Sequence, residues 1–449
     1  MQKEKKANSM DMIHGSLWNK ILLFALPLAA SSILQQLFNS VDTAVVGRFA
    51  SSQALAAVGS NSSLISLMIN LFLGVSLGSN VVIAHYIGQG SGKNIKAAVH
   101  TAMLVAVLCG FFVLLFGQVI ARPVLLLMGT PKDVIDLAVL YLRIYLLGMP
   151  CIMLYDFGAS ILRSTGDSKR PLYALIAAGI INTILNLILV ISFRMGVSGV
   201  AIATVISNMV SSGIVLHILL HEQEPIRVEL KQLSIVPKEL KKILVIGIPA
   251  GLQGMMFSIA NVCIQSAINS FGSNAIAGSA AALNFEFFAY FIVNAFAQTT
   301  VTFTSQNYGI NDRKRVDRVL ALCIGIVTVV GLVLGNLVYF FADELIRIYT
   351  TDVQAIAYGH ERLLYICVPY FICGWMDVIV GSLRGLGYST IPMIVSLIGA
   401  CGLRVLWILT IFQYFHTLNS IYLSYPVTWI VTAAAHLITY MILRKKAFN

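Results

Sequence analysis

Four acidic residues stand inside long apolar stretches of this sequence. They are Asp42, Asp156, Glu286 and Asp377. A charged side chain at the centre of a membrane-spanning helix costs about 2.5–3.5 kcal/mol. If all faced lipid as carboxylates, they would together cost on the order of 10 kcal/mol. We therefore expect each acid to face the interior of a helix bundle, to carry a proton or to pair with a cation. A group with these options is suited to binding and releasing an ion.

Asp42 has the most polar surroundings of these acids. Gln35, Asn39 and Asp42 recur every three or four residues and so share one face of a helix. The fifth apolar stretch adds Asn182 and Asn186 at i, i+4 spacing. A carboxylate among amide oxygens can hold a proton or a cation, so these residues form a predicted ion-coupling site. The alternative is that Asp42 lies near the outer end of its helix and only reaches the membrane interface.

The second half of the chain offers Glu286 and Asp377 as further protonation sites, because burial disfavours the charged form of a carboxylate. Aromatic residues near Asp377 suit stacking on a flat or cationic solute. The alternative for each acid is an ion pair with an internal cation, for which Arg404 is the obvious partner. The predicted solute cleft comprises Asp156, Asn261, Gln265, Tyr290, Asn294, Tyr370 and Trp375.

The composition places these residues in a membrane protein. Of 449 residues, 58% are hydrophobic and 11% are charged, whereas a soluble domain carries about 25% charged residues. The predicted fold is an all-α polytopic membrane protein with twelve transmembrane helices in two pseudo-twofold six-helix bundles. The apolar runs are 19–43, 54–84, 97–121, 134–162, 171–192, 198–220, 241–270, 275–305, 319–341, 355–383, 391–413 and 419–443.

The chain repeats itself at about half its length. "ILRSTGDSKRP" at 161–171 returns as "SLRGLGYSTIP" at 382–392, and "KILLFALPLAASSILQQLFN" returns as "KILVIGIPAGLQGMMFSIAN". Because each half has an even number of spans, both halves enter the membrane from the same side. An axis along the membrane normal then relates them, and rocking of one half against the other would give alternating access to a central cleft. The predicted divisions are a tail 1–18, a lobe 19–220, a linker 221–240, a lobe 241–443 and a tail 444–449.

The repeated motif is a predicted hinge or gate. Arg163 and Arg384 close the fourth and tenth spans, and Pro171 and Pro392 are expected at the first position of the next helices. Pro27 should bend the first helix. The alternative is that the motif is turn chemistry combined with basic charge on the cytoplasmic side.

The chain has a net charge of +11, and the distribution of its basic residues predicts its orientation in the cell membrane. If both termini are cytoplasmic, most of the 30 Lys and Arg fall on the cytoplasmic side. This distribution argues against nucleic-acid binding. The sequence contains no Walker A stretch, HExxH motif or metal-ligand spacing. We therefore expect a non-enzymatic protein without a cofactor or metal, driven by an ion gradient.

The stretch "QQLFNSVDTAVVGRF", the duplicated Arg-x-x-Gly motif and "INTILN" resemble the multidrug and toxic compound extrusion (MATE) transporters. The resemblance implies export of amphipathic, often cationic compounds in exchange for protons or sodium ions. It also implies that Asp42 and Asn182 form a coupling site and that Asp377 is the acid of the tenth helix. Two departures stand out. Asn186 replaces a frequent fifth-helix acid, and the seventh-helix acid of some branches is absent, although Glu286 on the eighth helix could replace it.

The lone acid beside Asn186 favours protons over sodium ions as the coupling ion, and sodium stays the alternative. The expected partners are small amphipathic drugs and membrane lipids, with the chain acting as a monomer. A lipid-linked oligosaccharide or lipid flippase of the same superfamily is the main rival. Four in-span acids against the single in-span Arg404 argue against its large cationic cleft. An ion channel or a membrane enzyme is the more distant alternative.

Overall fold

The computed structural model describes residues 10–449, so the first half of the predicted tail 1–18 lies outside the described residues. Helices make up nearly all of the described chain. In the first half they are α1 (Leu17–Phe49), α2 (Ser52–Gly88), α3 (Gly92–Leu127), α4 (Ile135–Leu147), α5 (Met149–Ser164), α6 (Lys169–Asn186) and α7 (Gly196–Leu220). A π-helical segment, Leu187–Ser192, continues α6.

The second half follows the same order. Its helices are α8 (Pro237–Asn269), α9 (Ser273–Gly309), α10 (Arg313–Phe340), α11 (Ala342–Arg347), α12 (Val353–Ile366), α13 (Tyr370–Gly385), α14 (Thr390–Ser396), α15 (Leu403–Leu409), α16 (Ile411–Tyr414) and α17 (Leu418–Phe448). A second π-helical segment, Leu397–Gly402, joins α14 to α15.

Twelve spans result when each bent helix pair is counted as one. In the described chain, ten helices or continuous helical segments are long and apolar enough to cross a membrane. The pairs α4–α5 and α12–α13 pass the same test together, and each bends by 46°. Pro150 lies in the first turn of α5, and Pro369 immediately precedes α13. Because proline cannot continue the hydrogen-bond ladder of the preceding helix, it explains the bends. The predicted all-α fold with twelve spans is confirmed.

The chain divides into two compact units. One, here called the N-unit, consists of Ala30–Ile248 with residues 10 and 11, and the other, the C-unit, consists of Met12–Ala29 and Pro249–Asn449. The division therefore falls inside α1 and α8, close to Pro27 and Pro249. A proline inside a helix removes a backbone hydrogen bond and favours a bend. These units differ from the lobes 19–220 and 241–443 that the repeat predicts. The first part of α1 belongs to the C-unit and the rest to the N-unit, whereas the first part of α8 belongs to the N-unit and the rest to the C-unit.

Small residues let the first turns of α8 pack within the N-unit. A Cβ atom on Gly247 would lie 2.5 Å from Val75 Cα, and one on Gly78 would collide with the carbonyl oxygen of Ile243. Such close backbone approach is typical of glycine contacts between membrane helices. Tyr86 adds a hydrogen bond of 2.6 Å from its hydroxyl to Glu239.

The chain before α1 is held in the C-unit by hydrogen bonds to its backbone. The side-chain amide of Asn307 donates to the Met12 carbonyl at 3.2 Å. The Arg315 guanidinium donates to the carbonyls of Met12, His14 and Gly15 at 3.3, 3.1 and 3.1 Å. These contacts tie the start of α1 to α9 and α10.

The duplicated motif forms the same tight turn twice. Gly166 and Gly387 have φ angles of 91° and 89°, a region that favours glycine. The predicted position of the following prolines is wrong by two residues. Because α6 begins at Lys169 and α14 at Thr390, Pro171 and Pro392 are third in their helices. The N–H groups of a first turn have no intrahelical partner, so proline is tolerated there.

Candidate functional site

Asp42 lies at the centre of a buried polar cluster in the N-unit. The side-chain amide of Asn186 donates to one carboxylate oxygen, and Thr204 donates to the other at 3.2 Å. The same amide also donates to Asn182 Oδ1 at 3.1 Å. Asp42, Asn182 and Asn186 are all buried, with exposed fractions of 8%, 4% and 0%. Side chains from α1, α6 and α7 thus meet at one carboxylate.

Asn186 is the last residue of α6. The π-helical segment Leu187–Ser192 begins at the next residue. A π-helical turn inserts an extra residue into the helix and is frequent at functional sites. Asn182 and Asn186 lie on one face of the α-helical part, as their spacing predicts. The sequence therefore indicates the amide pair, but the wider turn beyond it becomes visible only in the structure.

Thr204 was not predicted as part of the site. It lies on α7 within the apolar stretch "GVAIATVIS". Its hydroxyl is also within hydrogen-bond distance of the Val200 carbonyl, at 3.0 Å. Because that helical back-bond is common for threonine, nothing in the sequence distinguishes Thr204 from a threonine with only a local role.

Gln35 and Asn39 share the helix of Asp42 but do not join its cluster. Both side chains are exposed. Neither forms a hydrogen bond to Asp42 among the described residues, and the Asn39 carbonyl accepts a bond of 2.9 Å from Thr43. Of the three residues predicted to share a polar face of α1, Asp42 joins the cluster, whereas Gln35 and Asn39 do not.

The cluster contains more oxygen acceptors than donors. Asn186 Oδ1 is buried and has no hydrogen-bond partner. Together with the carboxylate of Asp42 and Oδ1 of Asn182, it provides oxygens that a proton or a small hard cation can use. Buried acceptors are usually satisfied, so Asn186 Oδ1 is an exception within the cluster.

Asp156 is a second buried acid of the N-unit. It lies on α5, with an exposed fraction of 9%, and has no hydrogen bond among the described residues. Arg163, two turns further along α5, is half-buried, and its Nε lacks a hydrogen-bond partner.

Glu286 forms an ion pair in the C-unit. Arg362 Nε and Nη2 donate to its two carboxylate oxygens at 2.5 and 3.0 Å. Arg404, the partner that the sequence suggested, forms no ion pair among the described residues. Arg362 lies within the predicted span 355–383 and on α12, so its charge should have been counted with that of Arg404. The count of a single in-span arginine is therefore wrong.

Asp377 lies on α13 near a polar row of α9. Asn294 donates to the Tyr290 hydroxyl at 3.3 Å, and Gln298 donates to Asn294 Oδ1 at 2.9 Å. The charge of Arg384 acts on Asp377, but the guanidinium donates to Gln253 Oε1, at 3.0 Å. The structure thus brings Tyr290 and Asn294 together and leaves Asp377 without a hydrogen bond in the described chain.

The remaining predicted cleft residues serve other contacts. Trp375 Nε1 donates to Thr328 at 2.7 Å, and the Tyr370 ring lies 5.4 Å from that of Trp429. Asn261 is exposed, and Gln265 donates to Asn269 at 2.9 Å. The two aromatic side chains thus contact neighbouring helices of the C-unit in this conformation.

Known proteins resemble the whole chain. The profile of the MatE family matches residues 27–188 and again 249–410. The probable multidrug resistance proteins YoeA and YpnP of Bacillus subtilis are 29% and 27% identical to the chain. They align over 87% and 88% of its length and over 86% and 88% of their own. A solved outward-facing conformation of a multidrug resistance MATE family transporter matches with a TM-score of 0.92, at 21% identity and 99% coverage of both chains.

Proposed function

The chain belongs to the MatE family of multi-pass membrane transporters, and from this membership we propose that it exports small amphipathic, often cationic compounds by proton antiport. The observation that carries the proposal is the buried carboxylate of Asp42, which accepts hydrogen bonds from Asn186 and Thr204, while the Asn186 amide also donates to Asn182. A transporter of this family is not an enzyme. Energy for export must come from an ion gradient, and one elementary charge crossing 100 mV supplies about 2.3 kcal/mol.

The proton is the preferred coupling ion because the cluster has one carboxylate. A proton needs a single acid, whereas sodium ions need several oxygen ligands at once. One observation favours sodium as the alternative: Asn186 Oδ1 is a buried acceptor without a hydrogen-bond partner. Alternating access would present Asp42 to each side of the membrane in turn.

The solute-binding residues are proposed from their chemistry. Asp156 is a buried acid without a hydrogen bond in the described chain, so it suits a cationic group. Tyr290 and Asn294 form a hydrogen-bonded pair that can contact polar groups of a solute. The exposed Asn261 is also available, and Asp377 is a second acid. The same proposal gives hinge or gate roles to Pro27, Arg163 and Arg384, and places a monomeric chain in the cell membrane with cytoplasmic termini.

Purified protein in liposomes tests the proposal. Efflux of a fluorescent cationic dye is measured with an imposed pH gradient in sodium-free buffer. Saturable transport that collapses when the gradient is dissipated is expected. Asp42→Asn should abolish coupled transport and leave the protein folded, whereas Asp136→Asn, at an exposed acid, should retain it. Full transport by Asp42→Asn would refute the assignment, and sodium-dependent transport without response to pH would identify the alternative ion.

The rival flippase function predicts a different result in the same liposomes. A flippase moves labelled lipid between leaflets, and the dye should not accumulate against its gradient. The buried Arg362 is paired with Glu286, so its charge is not available to an anionic lipid head group. Lipid movement without dye transport would favour the rival.

A further inference from the structure

Arg404 is a buried cation of the C-unit without an acidic partner. It lies on α15 with an exposed fraction of 2%. Among the described residues it forms no ion pair, its Nε has no hydrogen-bond partner, and its Nη2 makes one long bond of 3.4 Å to Thr428. A guanidinium carries five N–H donors. A buried charge that lacks both a counter-charge and hydrogen bonds is unfavourable.

The nearby acids do not neutralise this charge. Both carboxylate oxygens of Glu286 accept hydrogen bonds from Arg362. Asp377 is acted on by Arg384, and no ion pair joins it to Arg404 in the described chain. Arg404 therefore has no directly paired acid in the described chain.

Aromatic rings border the guanidinium. Arg404 Cζ lies 4.1 Å from the centre of the Tyr425 ring. The Tyr425 and Trp429 rings are 5.7 Å apart, and the Trp429 and Tyr370 rings are 5.4 Å apart. A guanidinium that stacks by its face on a ring keeps its edge donors available for a carboxylate, which it can bind through two parallel hydrogen bonds. The Tyr425 and Trp429 side chains are themselves buried, with exposed fractions of 8% and 4%.

We infer that the C-unit contains a binding site for an anionic group at Arg404. The group that fits is a carboxylate-type anion, because its two oxygens match the paired donors of a guanidinium. A small inorganic anion such as chloride shares the charge and is the other source of such a ligand. The inference goes beyond the proposed function, which uses acidic residues and assigns nothing to Arg404. Binding of the anion does not depend on coupling or on the direction of transport.

Direct binding to the purified protein in lipid nanodiscs tests the site. The probes are benzoate and its neutral analogue benzyl alcohol, titrated by calorimetry in a chloride-free zwitterionic buffer of low ionic strength. Because a hydrogen bond to a charged group contributes more than a neutral one, benzoate should bind about tenfold more tightly than benzyl alcohol. Added chloride should weaken benzoate binding if both anions use Arg404. Chloride binding without benzoate binding would assign the same site to an inorganic anion.

Variants separate this site from general effects of charge. Arg404→Gln should remove the preference for benzoate, and Arg404→Lys should retain part of it because the charge is kept and the planar fork is lost. Arg347→Gln, at an exposed arginine of α11, is the matched control and should bind as the natural chain does. If Arg404→Gln fails to fold, the weakened benzoate binding of Arg404→Lys and the competition by chloride still test whether the anion binds at Arg404. Unchanged benzoate affinity in an Arg404 variant, or no binding of either anion to the natural chain, would overturn the inference.

Discussion

Glu286 and Arg362 are joined inside the C-unit by two hydrogen bonds of 2.5 and 3.0 Å. Their side chains are 7% and 4% exposed. The Tyr422 ring lies 5.6 Å from the Arg362 guanidinium, and its hydroxyl is hydrogen bonded to Ser279 at 2.7 Å. A carboxylate held in this way is satisfied, which favours a structural role for Glu286 over the predicted role in ion coupling.

Breaking this pair should destabilise the protein. Glu286→Gln or Arg362→Gln leaves the other charge buried without its partner, at a cost of about 3–5 kcal/mol. The double variant should lose much less than the sum of the two, because no charge is stranded. Chemical unfolding in detergent measures these differences. Arg122→Gln, which breaks the exposed pair with Asp136, should change stability by about 0–1 kcal/mol. Additive losses in the double variant would show that the two charges act independently.

In the N-unit, a glycine contact allows the packing of α2 against α8 to be tested. A Cβ on Gly78 would collide with the Ile243 carbonyl, whereas one on Gly59, in the same helix α2, meets nothing within 4 Å. Gly78→Ala should therefore cost about 1–3 kcal/mol through overpacking. Gly59→Ala should be neutral or stabilising by up to about 1 kcal/mol. Thermal unfolding compares the two, and equal stability would contradict the close packing of α2 against α8.

The sequence was sufficient to predict the spans and part of the polar cluster around Asp42. Apolar length reveals the helices because lipid requires it, and helical spacing on α6 reveals Asn182 and Asn186. Thr204 and Arg362 could not be found in this way. Their partners are 162 and 76 residues away in the chain, and no local pattern records such pairing. The changes of unit within α1 and α8 were equally hidden, because the apolar composition continues across both prolines.

The duplicated turns predict unequal effects of the same substitution. Gly166 and Gly387 both have positive φ, so alanine is strained at either position by about 1–2 kcal/mol. A Cβ on Gly166 would also lie 2.7 Å from the Met10 carbonyl oxygen, whereas one on Gly387 meets nothing within 4 Å. Gly166→Ala should therefore lower the unfolding temperature more than Gly387→Ala. Deleting residues 2–10 removes the Met10 contact and should make the two losses similar. A difference that survives the deletion would show that Met10 is not its cause.

The residue at position 186 determines how many negative charges surround the proposed coupling ion at Asp42. Asn186 donates to Asp42 and lies beside Asn182, so Asn186→Asp would place a second carboxylate next to the first. Two carboxylates and an amide oxygen favour a sodium ion, because hard cations prefer several charged oxygen ligands. Without sodium, repulsion between the two should make them share a proton. Dye efflux from liposomes should then be stimulated by a sodium gradient in Asn186→Asp, but not in the natural chain. Thr328→Val, in the C-unit, removes a hydroxyl that accepts from Trp375 at 2.7 Å and serves as a control whose ion preference should not change. If Asn186→Asp exports dye with an unaltered response to pH and none to sodium, the ion does not bind between Asp42 and Asn186.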